Sequence, residues 1–207
     1  FSSSMPLNNT IDEIMKSKSL DMCSAPGGKT FQMLSKNIKV VSNDKSRRRL
    51  SILNSNLKRL NLKGEIKNKN VLELNNEEKY DFIVLDAPCS AVGTIRRNPE
   101  IFYRNSEPDL EKLINLQEKM LEKASALVNS KGIILYMVCS FLEKETSLQI
   151  KKFLKKNNNY FLAKFHLKKE NTRYRDFIKN KCLQLLPNEI DGFKIDGYFA
   201  AYLVRKD

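Results

Sequence analysis

Runs of nearly unbroken apolar residues alternate along this chain with stretches in which apolar positions recur every three or four residues. Ser19 to Ser24 is the first run, closed by Ala25, Pro26, Gly27 and Gly28. Lys29 to Lys36 then carries helical spacing, so strand, tight turn and helix are predicted in that order. Ile38 to Asn43 is a second short β-rich run ending at Asp44, and Lys45 to Leu60 repeats Leu and Ile at helical steps. Tyr80 to Asp86 is apolar almost throughout, as a strand covered on both faces must be. Leu110 to Val128 predicts a long amphipathic helix, Gly132 to Cys139 another buried strand, Leu142 to Leu154 a helix with a Lys-rich outer face, and Tyr198 to Val204 a last strand. The Asn-rich stretches near 8–9, 61–70, 75–76 and 157–159 mark loops, and 164–181 is the least regular segment.

Strands alternating with helices specify an α/β fold, a doubly wound and mostly parallel sheet with right-handed crossovers. In such sheets ligands sit outside the carboxyl ends of the strands. Ala25 to Gly28, Asp44, Asp86 to Ser90 and Cys139 with Ser140 all fall at those ends. The 207 residues make one domain's worth of chain, and no apolar run approaches the roughly 18 residues that would cross a bilayer, so a membrane span is excluded. The 37 Lys and Arg against 24 Asp and Glu leave +13, the sign that attracts phosphate backbones and makes nucleic acid the leading partner class; solvated lysine faces are the plainer source of the same surplus. Cys23, Cys89, Cys139 and Cys182 lack the paired spacing of a zinc site, and His166 alone cannot complete one, so no metal is expected. No secretory leader opens the chain, which predicts a cytoplasmic protein, nucleolar or organellar if eukaryotic, with reduced thiols. The first residue is Phe1, and further sequence is expected upstream.

The glycines after the first strand let backbone approach a bound group, and the following helix start offers free N–H donors. The pattern is neither the dinucleotide Gly-x-Gly-x-x-Gly nor the phosphate loop ending in Lys-Ser/Thr. Asp44 ends the second strand, where doubly wound nucleotide folds place an acid on ribose hydroxyls; capping of the helix near Lys45 is the alternative. Cys89 and Cys139 end neighbouring strands on the same sheet edge and could share a pocket with Asp86. Each cysteine taken alone is as readily an inert core residue.

The segments Asp21 to Thr30, Asn43 with Asp44, Asp86 to Ser90, Gly93 to Glu100, Cys139 with Ser140, Leu185 to Pro187 and Asp191 to Phe193 resemble, in order, the motifs of the Sun-type RNA cytosine-C5 methyltransferases. Val92 to Ile101 and the helix after it are most similar to the bacterial subgroup acting on small-subunit ribosomal RNA. The resemblance covers essentially the whole chain and implies the S-adenosylmethionine-dependent methyltransferase fold, a seven-stranded doubly wound sheet, with S-adenosyl-L-methionine as cofactor. It implies that Cys139 is the nucleophile that adds to carbon 6 of cytosine, because carbon 5 is otherwise too weak a nucleophile to accept a methyl group. Cys89 then assists product release; DNA cytosine methyltransferases use the cysteine at that position as nucleophile instead. Asp86 holds a proton against the base, and Lys29 favours the Cys139 thiolate. Cys23, Ser24, Ala25, Pro26, Gly27, Gly28 and Lys29 wrap the methionine end of the cofactor, Asp44 takes the ribose, Asn70 stands where the family has an Asp near the adenine, and Asp86 borders the same site. Met137 and Val138 depart from the hydroxyl residues usual before the Cys-Ser pair. Arg96 and Arg97, with the basic groups 47–49, 151–152 and 168–181, face RNA phosphates, and a base in a helix has to be turned out to reach Cys139. The resulting expectation is a monomeric catalytic domain over 1–207, lacking the family's N-terminal RNA-binding region. Its expected partner is RNA of the small ribosomal subunit, with transfer RNA or a non-catalytic assembly role as rivals.

Overall fold

The computed structural model describes residues 2–10, 12, 14, 16–103, 109–168, 174–190 and 192–207. Lys169, Arg173 and Asp191, which the basic group and the last motif include, lie outside the described residues. The first half alternates as expected: α1 (Met5–Thr10), β1 (Lys18–Asp21), α2 (Gly28–Leu34), β2 (Lys39–Asn43), α3 (Arg47–Arg59), β3 (Glu65–Lys67) and β4 (Tyr80–Asp86). Then follow α4 (Leu110–Leu127), β5 (Val128–Val138), α5 (Ser147–Lys156), β6 (Tyr160–Ala163), β7 (Ile178–Lys179), β8 (Cys182–Leu185), β9 (Asn188–Ile190), β10 (Phe193–Ile195) and β11 (Tyr198–Arg205).

The main sheet runs β3-β2-β1-β4-β5-β11-β8-β7, with β6 also on β11. β3, β2, β1, β4 and β5 are mutually parallel, whereas β11 lies antiparallel to β5, β6 and β8. The chain order reverses between β1 and β4, so the crevice of this fold opens beyond Asp21 and Asp86. The expected seven strands become nine among the described residues. β8 pairs with Tyr198 to Ala200 and β6 with Tyr202 to Arg205, so two short strands share one position, and β7 extends the edge by two residues.

Side chains alternate across β4 as the pleat requires: Phe82 and Val84 join one apolar layer, Ile83 and Leu85 the other. The first layer is covered by Met5 and Leu7 of α1 and Met33 of α2, the second by Met120, Leu121 and Ala124 of α4 and Ile150 and Phe153 of α5. Burial of each such side chain contributes roughly 1.5–3 kcal/mol, which explains why β4 reads as continuous apolar sequence.

Three predicted elements differ. β3 lies inside the Asn-rich stretch read as loop; its three residues are all partly or fully exposed and carry no apolar alternation. β5 starts at Val128, earlier than expected, because residues 129–132 bulge between the pairs Tyr80 with Val128 and Phe82 with Ile133. The helix expected from Leu142 is divided into a 3-10 turn at Glu143–Glu145 and α5, with Thr146 between them at φ −119°, ψ −104°. Here the buried Glu145 side chain is directed into the core instead of toward solvent.

Candidate active site

The turn after β1 is built by glycine geometry and hydrogen bonds. Gly27 adopts φ 124°, and a Cβ there would lie 2.1 Å from the Phe31 ring, so both the backbone and the packing require glycine. A Cβ on Gly28 would meet nothing within 4 Å, leaving open space beside the helix start. Ser24 donates its amide (2.9 Å) and hydroxyl (3.1 Å) to the Asn43 carbonyl, tying this turn to the end of β2. Asp44 is buried; its Oδ1 accepts from the Ser46 amide at 2.8 Å and its Oδ2 from the Ala25 amide at 3.3 Å. Ser46, rather than Asp44, caps α3. Arg49, grouped from sequence with RNA-facing charges, ion-pairs with Asp44 and donates to the Ala25 carbonyl at 2.8 Å.

Three carboxylates converge on this crevice. Cys23 registers their field: burial first, then Asp21, Asp44 and Asp86, push its thiol up to about 12. These carboxylates, two of them already paired with Lys29 and Arg49, offer acceptors to ribose hydroxyls and to a cationic sulfonium ligand, so the donor set fits S-adenosylmethionine. Asp21 is fully buried, accepts from Thr30 at 2.8 Å, and leaves Oδ1 without a hydrogen-bond partner. Burial raises its carboxyl to about 7 from the ordinary 3.8. A raised acid in the folded state contributes stability below its unfolded value and loses it as pH rises through about 7. Thermal unfolding will therefore show Asp21→Asn gaining stability over the unaltered protein progressively between about pH 4 and pH 7, by at most roughly 4 kcal/mol in total, so that its advantage is larger near pH 8 than near pH 5. Equal differences at the two pH values would contradict it.

Asn70 caps the 3-10 turn Val71–Glu73, accepting from the Leu72 amide and donating to Glu73, both at 3.2 Å; its exposed side chain thus already has local work. Lys29, almost fully buried, donates to Asp86 Oδ2 at 3.0 Å, and the Tyr198 hydroxyl donates to Asp86 Oδ1 at 2.9 Å. Tyr198, from the inner face of β11, was not legible as a site residue. The Asp86 carboxylate is thereby held through both of its oxygens.

The sulfurs of Cys89 and Cys139 lie 3.3 Å apart. The hydrogen bond from Cys89 holds the Cys139 thiol below its ordinary value, against burial and the nearby Asp86 and Glu145 charges. The same bond, followed by burial, pushes Cys89 far above. Of the two thiols, Cys139 is therefore the one that gives up its proton first. The thiolate is favoured by Cys89 first, whereas Lys29 is committed to Asp86.

A cavity of about 290 Å³ opens at Cys139, lined also by Thr94, Arg96, Arg97, Lys194 and Tyr198. Arg96 and Arg97 both pair with Asp196, at 3.1 and 2.6 Å, joining the loop after Cys89 to the β9–β10 hairpin. Gly93 closes this seam: its amide donates to the Cys139 carbonyl at 3.0 Å, its carbonyl accepts from the Gly197 amide at 2.8 Å, and a Cβ would strike the Gly197 carbonyl at 2.2 Å. Behind the cysteines lies a buried polar group of Ser90, Gln117, Tyr136, Ser140, Glu145 and Gln149 that sequence reading missed. No group of three or more potential metal ligands occurs among the described residues.

The switch-point crevice and parallel order define the Rossmann-like fold of S-adenosylmethionine-dependent methyltransferases, and solved structures share it. NSun6 from Pyrococcus horikoshii, crystallised with SFG, superposes with a TM-score of 0.82 at 24% identity, over 99% of this chain and 52% of that one. PH0851 gives 0.82 at 29% identity, over 96% and 45%. The family model for 16S rRNA methyltransferase RsmB/F matches residues 8–204, and the chain belongs to that family. Ribosomal RNA small subunit methyltransferase B of Escherichia fergusonii is 36% identical over 192 residues, 90% of this chain and 42% of that protein. The chain thus spans about two fifths of the length of the curated relatives it matches.

Proposed function

We propose that residues 1–207 form the catalytic domain of a cytoplasmic enzyme that methylates carbon 5 of a cytosine in small-subunit ribosomal RNA. The observation carrying this reading is the cysteine pair, sulfurs 3.3 Å apart, with Cys139, the more readily ionised of the two, on the wall of a cavity that Arg96, Arg97 and Lys194 also line. The family to which the chain belongs and the name of the Escherichia fergusonii relative support the RNA assignment. Cys23 to Lys29, Asp44 and Asp86 are the residues that would hold S-adenosylmethionine, with Asp21 buried behind them. When bound, it supplies the electrophilic methyl group.

The Cys139 thiolate attacks carbon 6, a sulfur–carbon bond forms, and the carbon 5–carbon 6 π pair moves toward N3 and carbon 5. A proton passes to N3 through Asp86, drawn from the Lys29 ammonium hydrogen-bonded to it and returned the same way at the end of the cycle, and neutralises the charge; Tyr198 keeps the carboxylate aimed. Once Cys139 is consumed, the first cause holding the proton on Cys89 is gone, and Cys89 ionises. Its thiolate takes the carbon 5 proton of the methylated adduct, the double bond re-forms, the electron pair of the sulfur–carbon bond returns to Cys139, and the N3 proton returns through Asp86 to Lys29. One proton is released per turnover. Arg96, Arg97 and Lys194 present positive charge to the phosphates flanking the turned-out base.

The test is transfer of tritiated methyl from S-adenosylmethionine to unmodified 16S ribosomal RNA, with transfer RNA alongside and nucleoside analysis of the product. Label recovered as 5-methylcytidine from the ribosomal RNA is expected. Label confined to transfer RNA would reassign the substrate, and label in another nucleoside would overturn the reaction.

A further inference from the structure

Glu145 is fully buried, and its carboxylate is met by neutral donors: the Ser90 amide at 2.9 Å, the Ser90 hydroxyl at 2.5 Å and the Gln117 amide at 3.0 Å. A carboxylate withdrawn from water among neutral partners is costly to keep, and the contacts it makes show where it acts. The same Gln117 amide group also reaches the Pro88 carbonyl at 2.9 Å. Pro88 and Ser90 are the two neighbours of Cys89. On the opposite side, the Tyr136 hydroxyl donates to the Glu145 carbonyl at 2.8 Å, and the Ser140 hydroxyl, beside Cys139, accepts from the Leu142 amide at 3.2 Å and lies 3.4 Å from the Ser90 hydroxyl. One buried acid thus ties the loop after β4 to the turn after β5.

Building on the reading of the cysteine pair given above, we propose that Glu145 is its positioning residue: by gripping Ser90 directly and Pro88 through Gln117, it sets the distance between Cys89 and Cys139. Glu145 touches neither sulfur and takes no part in bond making. Its charge also opposes ionisation of both thiols. The other titratable or charged groups facing the pair are Asp86 at the end of β4, with Lys29 of α2 committed to it, Tyr136 of β5, Tyr198 of β11 and, around the cavity at Cys139, Lys194 and Arg96 and Arg97 with their partner Asp196.

Thiol chemistry reads this geometry without RNA or cofactor. In a glutathione redox buffer, one cysteine thiolate displaces reduced glutathione from its disulfide, and the second cysteine displaces the other. The protein gains a Cys89–Cys139 disulfide while two glutathione thiols are released. The fraction closed at equilibrium, measured by mass spectrometry, gives the effective concentration of one sulfur at the other. Glu145→Gln sets a carboxamide N–H against the donors that the carboxylate accepted, so that concentration is expected to fall about tenfold. The pH midpoint for iodoacetamide alkylation of Cys139 is expected to move down, because a negative charge has been removed. A folded Glu145→Gln with its disulfide equilibrium within about twofold of the unaltered protein and an unmoved alkylation midpoint would overturn the proposal. If that variant does not fold, Ser90→Ala, which deletes only the hydroxyl of the grip, carries the same measurement: a fall of about threefold supports the proposal and no change overturns it. Absence of methyl transfer to any RNA would instead refute the reading of the reaction, leaving the thiol result to stand by itself.

Discussion

Replacing Cys139 with alanine will reduce RNA methyl transfer by at least about 10⁴-fold, the scale on which loss of a nucleophile acts. No other sulfur can substitute. Cys89, 3.3 Å away, belongs to the loop after a different strand and approaches the base from another side. Cys23 belongs to the carboxylate-ringed crevice, where its thiol is pushed up to about 12, and Cys182 is buried in β8. S-adenosylmethionine affinity, read by calorimetry, should stay within about twofold, since the residues assigned to hold it form a separate set. Initial rates with tritiated cofactor decide the matter; retained activity would remove Cys139 from the role.

Replacing Cys89 with alanine should give the opposite product, a protein joined to its RNA. Attack by Cys139 and methyl transfer need no proton acceptor at Cys89, but elimination does. Adduct is therefore expected to accumulate on denaturing gels while turnover falls about 10²-fold or more. The substitution also deletes the hydrogen bond that lowers Cys139, so the pH midpoint for alkylation of Cys139 by iodoacetamide should rise. The two readouts are linked by one sulfur–sulfur contact but measured independently. Normal turnover without adduct would assign release to another group.

The elements that position this chemistry were legible where burial alone dictates sequence. Tyr80 to Asp86 reads as a strand because both of its faces are covered, and its bounds in the sheet are those predicted. The turn at Ala25 to Gly28 was marked by glycines whose space and φ the fold then uses. Glu145 was not legible: within the polar stretch Leu142 to Thr146 it looks like one more solvated charge, and its burial depends on Ser90 and Gln117, distant in sequence. Tyr198 and Arg49 share that property, since their partners Asp86 and Asp44 are assigned by tertiary packing alone. Strand number was misjudged for a related reason. Two short segments, β6 and β8, divide a single neighbour between them, an arrangement that periodicity cannot register.

The position of β11 bears on synthesis. Its residues come after those of every other described strand, yet it lies inside the sheet, hydrogen-bonded to β5 on one side and to β6 and β8 on the other. A nascent polypeptide still held in the ribosome before Tyr198 emerges leaves the outer edge of β5 bare, with Asp86 lacking one of its two donors. Tyr198 also forms a wall of the cavity around Cys139. Completion of the reactive centre is thus delayed until nearly all of these 207 residues have been translated, and a chain truncated before β11 carries its cysteines without the pocket in which they act.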